Sequence, residues 1–224
     1  PTTGVTIFPE FVPIAQSIWQ FGGDGQSFPM APGEDAVVVI GGAIDHAAQY
    51  PLSVNLNKPG YFVCYNPVYF WNTLYHPAPG DQINPDHYLN VVIKTGQANA
   101  YTFSVFSPAT VIFKAQNTTI QEFVNNENNV IQKPGSTIDR IVKIPNEWIL
   151  DGVEIYYGGS SNNKKRLSPS IDAGYVTQSA LYDGKTLFRR TDEEASNEAG
   201  YEILEDTNNS SNDFYEREKQ SLHD

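Results

Sequence analysis

Cysteine is almost missing: Cys64 stands alone among 224 residues, which excludes an internal disulfide and any Cys-x-x-Cys metal or redox motif. It alternates with apolar neighbours in Tyr-Phe-Val-Cys-Tyr-Asn and reads as a small buried hydrophobe. Charge is scarce as well. Asp, Glu, Lys and Arg make up 18% of the chain, against a usual share of about 25%, so the surface must be built from uncharged polar residues. No apolar run approaches the roughly 18 residues of a membrane-spanning helix. A glycine-rich phosphate loop, a Gly-x-Ser-x-Gly elbow and a His-Glu-x-x-His pair are all lacking. The four histidines, His46, His76, His87 and His223, never stand two or four apart. Loop acids such as Asp45, Asp81 and Asp86 show no cation-loop spacing, so neither a metal nor another cofactor is expected. No repeat of fixed period is visible, which argues against solenoids and propellers.

The formal net charge of -12 is unevenly spread. Residues 192–224 hold eleven acids and two bases, so the acid is concentrated in the last segment and the body is nearly neutral. Such a chain repels phosphate backbones, and nucleic acid is not an expected partner. The short basic run Lys164-Lys165-Arg166 follows Gly-Gly-Ser-Ser-Asn-Asn and reads as a solvated hairpin tip. The chain opens on Pro1 without a signal peptide, as a processed product or a fragment would.

What the chain does have is strand after short strand. Gln16 to Phe21, the β-branched run Val37 to Ile40, which suits a strand buried on both faces, Leu89 to Thr95, Tyr101 to Ser107 and Ala109 to Ala115 all read as strands. Ile138, Arg140, Val142 and Ile144 alternate onto one face, and after Pro145 the segment through Tyr157 reads as another strand. Thr186 to Arg190 and Glu198 to Thr207 complete the set. Asp45 to Tyr50 is a candidate helical turn, and Ile120, Phe123 and Val124 allow a second brief helix. Turn signals between short strands predict an all-β sandwich or barrel with long loops and little helix.

Seven of the sixteen residues from Tyr61 to His76 are aromatic. Most of these rings suit a sandwich core, yet Tyr65, Tyr69, Trp71 and Tyr75 also form a candidate platform for a glycan or peptide, since Tyr and Trp join a flat apolar face to a hydrogen-bonding tip. Trp19 and Trp148 read as core. Carboxylate pairs such as Asp151 with Glu154, or Glu34 with Asp35, carry no more than ordinary turn chemistry, and no catalytic residue is assigned. Asn117, Asn208 and Asn209 each begin a glycosylation sequon. The Asn- and Ser-dense stretch around Asn208 reads as a chain of side-chain-to-backbone turns closed by Phe214.

Residues 144–159, then Ser-Pro-Ser-Ile-Asp-Ala-Gly-Tyr-Val, Lys-Thr-Leu-Phe-Arg-Arg and Ile-Leu-Glu-Asp-Thr-Asn-Asn-Ser-Ser-Asn-Asp-Phe, taken in order, resemble an uncharacterised Bacteroidetes surface-lipoprotein family. That family carries a lamin-tail-like, Ig-like β-sandwich at its C-terminal end. Upstream, Pro32-Gly33 followed by Val37 to Ile40 fits the same family. The resemblance implies one sandwich domain over residues 1–214, lacking its first strands, with an acidic tail at 215–224. Family members carry a lipid-anchoring Cys and a further sandwich domain before the point where this chain starts. The resemblance also implies an exported protein at the cell surface or outer membrane, without catalytic machinery. Its expected partner is a surface protein, such as a TonB-dependent transporter, or an extracellular polymer. Two other expectations are a glycan- or peptide-binding protein and a jelly-roll-type structural subunit. All of them dispense with a reactive side chain.

Overall fold

The computed structural model describes residues 7–15, 17–23, 26–40, 58, 60–66, 85–94, 108–133, 135–137, 139–181, 183–218 and 222. Twelve described strands and three short helices make the fold all-β and sandwich-like. Two compact units share the chain, one made of Pro1–Ala15 with Ser104–Lys219 and the other of Gln16–Phe103 with Gln220–Asp224.

In the first unit, β1 (Phe11–Ile14), β8 (Arg140–Pro145) and β7 (Val130–Gln132) form one antiparallel sheet in the order β1-β8-β7. A second sheet has the order β10-β9-β6, from β10 (Val176–Gln178), β9 (Ile149–Tyr157) and β6 (Ala109–Phe113). The chain passes from β8 in one sheet to β9 in the other at a tight corner. Pro145 ends β8, a 3-10 turn over Asn146–Trp148 bends the backbone, and β9 begins at Ile149. The Asn146 side-chain amide secures that corner by donating to the Pro9 carbonyl at 2.8 Å. Between the sheets lies an apolar cluster of Val12, Leu167 and Ile171, with Ile14, Ala109, Val111 and Ile149 packed on it. Val142 and Ile144, two of the four residues expected on one face of β8, are 2% and 0% exposed. Arg140 keeps its head in water at the open end of the strand.

Gly152 is demanded by this core. A Cβ there would sit 2.8 Å from Ile171 Cγ2 and 3.0 Å from both Leu167 Cδ1 and Val111 Cγ1. Helix α1 (Ile120–Asn125) confirms the brief helix read from Ile120 and Phe123, and its Thr119 and Glu122 form a reciprocal capping box. Phe123 from α1 meets Trp148 at a ring separation of 4.5 Å, and Trp148 is core as expected.

β9 and β10 run parallel, so a long crossover must join them. Residues 158–175 supply it, and they send Leu167 and Ile171 down into the core. Beyond it, β11 (Thr186–Arg189) and β12 (Phe214–Arg217) pair antiparallel. Their aromatic and guanidinium groups interleave: Arg217 lies 3.6 Å over the Phe188 ring and Arg189 lies 4.8 Å over Phe214. The segment expected as an acidic tail from residue 215 therefore begins as a strand, because its aromatic and basic residues have partners on β11.

A second correction lies between these two strands. The strand expected over Glu198 to Thr207 does not form: its first two residues end helix α2 (Glu193–Ala199), and the rest is an irregular stretch with one bridge between Thr191 and Leu204. Asp192 caps α2 by accepting from the Ala195 N–H at 2.9 Å, and Gly200 ends it with φ at 77°. Helix α3 (Ser210–Asp213) then leads into β12.

In the second unit, β2 (Ser17–Gln20) pairs antiparallel with β5 (Asn90–Lys94), and β3 (Val37–Ile40) pairs parallel with β4 (Tyr61–Cys64). Phe62, Cys64 and Leu89 form its described core, with Trp19, Phe28 and Tyr65 against it. Phe62 is met edge-on by Phe21 at 4.8 Å and by Phe28 at 5.0 Å. The candidate helical turn at Asp45 to Tyr50 and the expected strand at Tyr101 to Ser107 lie outside the described residues.

Candidate functional site

The acids of β9 come first, because a pair of carboxylates was the most reactive-looking feature of the sequence. Asp151 and Glu154 stand three apart on one strand, so they point to opposite faces. Asp151 reaches the Arg189 guanidinium at 2.7 Å. Glu154 turns inward, is 1% exposed, and pairs with Lys165. Burial pushes the Glu154 carboxyl above its ordinary range, while the Lys165 ammonium and the N–H groups of Arg166 and Leu167 pull it back. Two carboxylates so divided cannot flank one scissile bond.

Asp172, also 1% exposed, is taken up wholly by the fold. Its Oδ1 accepts from the N–H groups of Gly174 at 3.0 Å and Ser210 at 2.9 Å. Its Oδ2 accepts from the Glu154 N–H at 3.0 Å and the Ser210 hydroxyl at 2.8 Å. Asp213 has a similar role at the end of α3, accepting from the Thr207 N–H at 3.1 Å and the Thr207 hydroxyl at 2.6 Å. The Asn- and Ser-dense stretch is thus an ordered string of Asx-type turns, as its composition indicated, with Asn208 left-handed at φ 54°. It docks on the 166–175 crossover, where the Ala173 N–H donates to the Asn208 carbonyl at 2.7 Å. Gly174 lets the two chains touch, since a Cβ there would come within 2.7 Å of the Ser211 nitrogen.

This docking builds a surface recess of about 300 Å³, lined by residues 175–177 from the start of β10, residues 210 and 211 from α3, and residues 214–216 from β12. β10 and β12 are clasped at both ends by side chains. At one end the Ser211 hydroxyl accepts from the Tyr175 N–H at 3.0 Å and donates to the Tyr175 carbonyl at 2.8 Å. At the other, Glu216 accepts from the Ser179 N–H at 2.7 Å and the Ser179 hydroxyl at 2.6 Å. Burial alone would raise the Glu216 carboxyl, but the Ser179 donors and the Lys185 ammonium at 3.4 Å outweigh it and hold it below its ordinary value. Tyr175 forms the recess wall with its ring stacked on Tyr156, centroids 3.9 Å apart and planes at 11°. Tyr175 stays 43% exposed, so the pair presents one flat ring to solvent.

Of the aromatic platform expected from sequence, Tyr65 is half-buried, packs against Phe62, Val63 and their neighbours, and meets Tyr88 edge-on at 6.4 Å. Tyr69, Trp71 and Tyr75 lie outside the described residues. The Tyr156–Tyr175 stack was not anticipated, because its two rings are nineteen positions apart and meet only through the parallel pairing of β9 with β10. Among the described residues, no three of His, Cys, Asp and Glu converge as metal ligands. No described helix is long and apolar enough to cross a membrane.

A strand-dominated, sandwich-like protein whose buried acids serve the fold, and whose recess is aromatic and polar, defines the class. Within it, the chain belongs to the DUF4876 family, described as a protein of unknown function, whose pattern matches residues 31–221. This bears out the resemblance to an uncharacterised Bacteroidetes family. The chain is also similar to the crystal structure of a DUF4876 family protein from Bacteroides thetaiotaomicron VPI-5482. The two share 29% sequence identity at a TM-score of 0.70, over 96% of this chain and 57% of that one. The chain therefore spans little more than half the length of that relative. No curated protein matches it.

Proposed function

We propose that the chain is a non-catalytic module displayed at the cell surface, which holds an extracellular polymer beside a partner in the outer membrane. The kind of partner the family resemblance implies is a TonB-dependent transporter. One observation carries the reading. The three acids buried to 1%, Glu154, Asp172 and Asp213, are engaged by donors of the fold, while an aromatic and hydroxyl-lined recess opens to solvent. Acids buried and engaged in this way serve as fasteners. An exposed flat ring beside convergent polar groups suits recognition without chemistry.

Purification of the protein from its native membrane in mild detergent tests this. An outer-membrane protein is expected to accompany it in fixed proportion. A chain that elutes alone, or as a closed symmetric assembly of itself, overturns the partner. Hydrolysis of a glycoside or peptide substrate by the homogeneous protein overturns the non-catalytic reading.

A further inference from the structure

We infer that the recess at Tyr175 is a sugar-binding subsite for a neutral glycan: one pyranose ring stacks on the exposed face of Tyr175, and its hydroxyls bond to Thr177, Ser211 and Glu216. The inference rests on the polymer-holding function proposed above and names the site and the ligand class.

The platform is built before any ligand arrives. Tyr156 backs the Tyr175 ring at 3.9 Å and nearly parallel, so the ring plane is fixed and little side-chain freedom is lost on binding. A stacked tyrosine offers the C–H face of a sugar a flat apolar surface, with polar groups at its margin. Residues carrying such groups line the same recess: Thr177 beside Tyr175 on one wall, and Ser211 and Glu216 on the other. A carboxylate accepting from sugar hydroxyls makes charge-assisted bonds. Its ionised state, together with a formal net charge of -12, selects against acidic polymers and in favour of neutral ones. The volume of about 300 Å³ stands at the small end of ligand sites, which span roughly 300–1,000 Å³.

The same geometry disfavours an extended peptide. Strand addition needs a free row of backbone groups along an edge. On β10 both the N–H and the carbonyl of Tyr175 are already bonded to Ser211, and the Ser179 N–H is bonded to Glu216. Only the short span between these clasps is left for a ladder.

Native-gel electrophoresis of the full chain, with starch, xylan, mixed-linkage β-glucan or galactomannan in the gel, reads binding as retardation. Polygalacturonate serves as the acidic comparison. At least one neutral polysaccharide is expected to retard the protein, and polygalacturonate is not. By calorimetry with oligosaccharides of the retarding polymer, Tyr175→Ala is expected to weaken binding about tenfold or more. Tyr175→Phe, which keeps the ring face, is expected to stay within about threefold. Circular dichroism certifies that each variant is folded.

Failure of every neutral polysaccharide to retard the wild-type chain overturns the inference. So does a folded Tyr175→Ala variant that binds as well as wild type, or a fluorescein-labelled decapeptide library that binds at Tyr175 while sugars do not. Co-purification separates the two proposals. A membrane partner that still accompanies a chain blind to all sugars leaves the partner standing and removes the subsite. Sugar binding by a chain that purifies alone does the reverse.

Discussion

In the first unit the buried interior includes Glu154, Ser168, Asp172, Ser210 and Asp213, whereas the described buried residues of the second are Ile18, Val39, Tyr61, Phe62, Val63, Cys64 and Leu89. The first unit adds directed bonds to its apolar core, and the described interior of the second rests on apolar contact. Directed bonds fix loops of little hydrophobic content in one arrangement, since each donor is satisfied in that geometry alone. They also concentrate risk, because removing one acceptor strands several donors at once. Apolar packing spreads its contribution over many small contacts and fails by leaving a cavity. The recess at Tyr175 borders the fastened region. Its two walls come from segments 36 residues apart, joined through Ser211 and Tyr175.

The comparison breaks first at Asp172. Replacing it with Ala leaves the N–H groups of Glu154, Gly174 and Ser210 and the Ser210 hydroxyl without their acceptor. The expected loss is about 4 kcal/mol by urea denaturation. Asp172→Asn keeps one carbonyl oxygen and should lose roughly half as much. A loss below about 1 kcal/mol for the alanine variant would deny the bond network its fastening role. Phe62→Ala is the matching test in the apolar region. It removes a ring met by Phe21 and Phe28 and should cost about 3 kcal/mol, a cavity loss that depends little on salt or pH. Gly152→Ala comes next. The added methyl must push Leu167, Ile171 and Val111 apart, an overpacking that costs about 2 kcal/mol.

Acidity separates two carboxylates within the first unit. Burial holds the Glu154 carboxyl above its unfolded value, so its contribution to stability is full below the ordinary glutamate range and is lost as pH rises through the raised value. Glu216 is held below its ordinary value and acts oppositely, contributing at neutral pH and losing that contribution as pH falls. Glu154→Gln abolishes the first dependence. Whatever the variant's absolute stability, its melting temperature relative to wild type should climb between pH 4 and pH 7. Parallel melting curves across that range would mean that Glu154 does not titrate out of its ordinary range.

How far the sequence foretold this difference varies by element. Ala109 to Phe113 and the alternation through Val142 and Ile144 were legible because periodicity reports burial directly, whereas the β-branched run Val37 to Ile40 gave the strand but not its burial, since Val38 and Ile40 are exposed. The Asn- and Ser-dense turns were legible for a second reason, since those side chains bond their own local backbone. Helix α2 went unread although its signals were present: Asp192 as cap, two glutamates in the first turn and Gly200 as terminator. Apolar residues in Tyr201 to Leu204 drew the reading the wrong way. The recess had no local signal at all. Tyr156, Tyr175, Ser211 and Glu216 converge through a parallel crossover and a long excursion between β11 and β12. Such pairings are set by the whole chain's burial and leave no mark on a short window.

The gentlest test leaves the stability of the wild-type chain untouched. Burial pushes the Cys64 thiol up to about 12, and the residue is 4% exposed beneath the Phe62 cluster. Only the thiolate reacts, so at pH 8 alkylation of the native protein should be slower than in urea by on the order of a thousandfold. Labelling then requires the apolar region to open, and its rate reports that opening alone. Phe62→Ala loosens the packing over the thiol and should raise the rate about tenfold or more. Two outcomes count against the reading of Cys64 as a packed hydrophobe. One is native labelling as fast as in urea. The other is a Phe62→Ala rate equal to wild type, since a thiol held only by contact must feel the loss of the ring beside it.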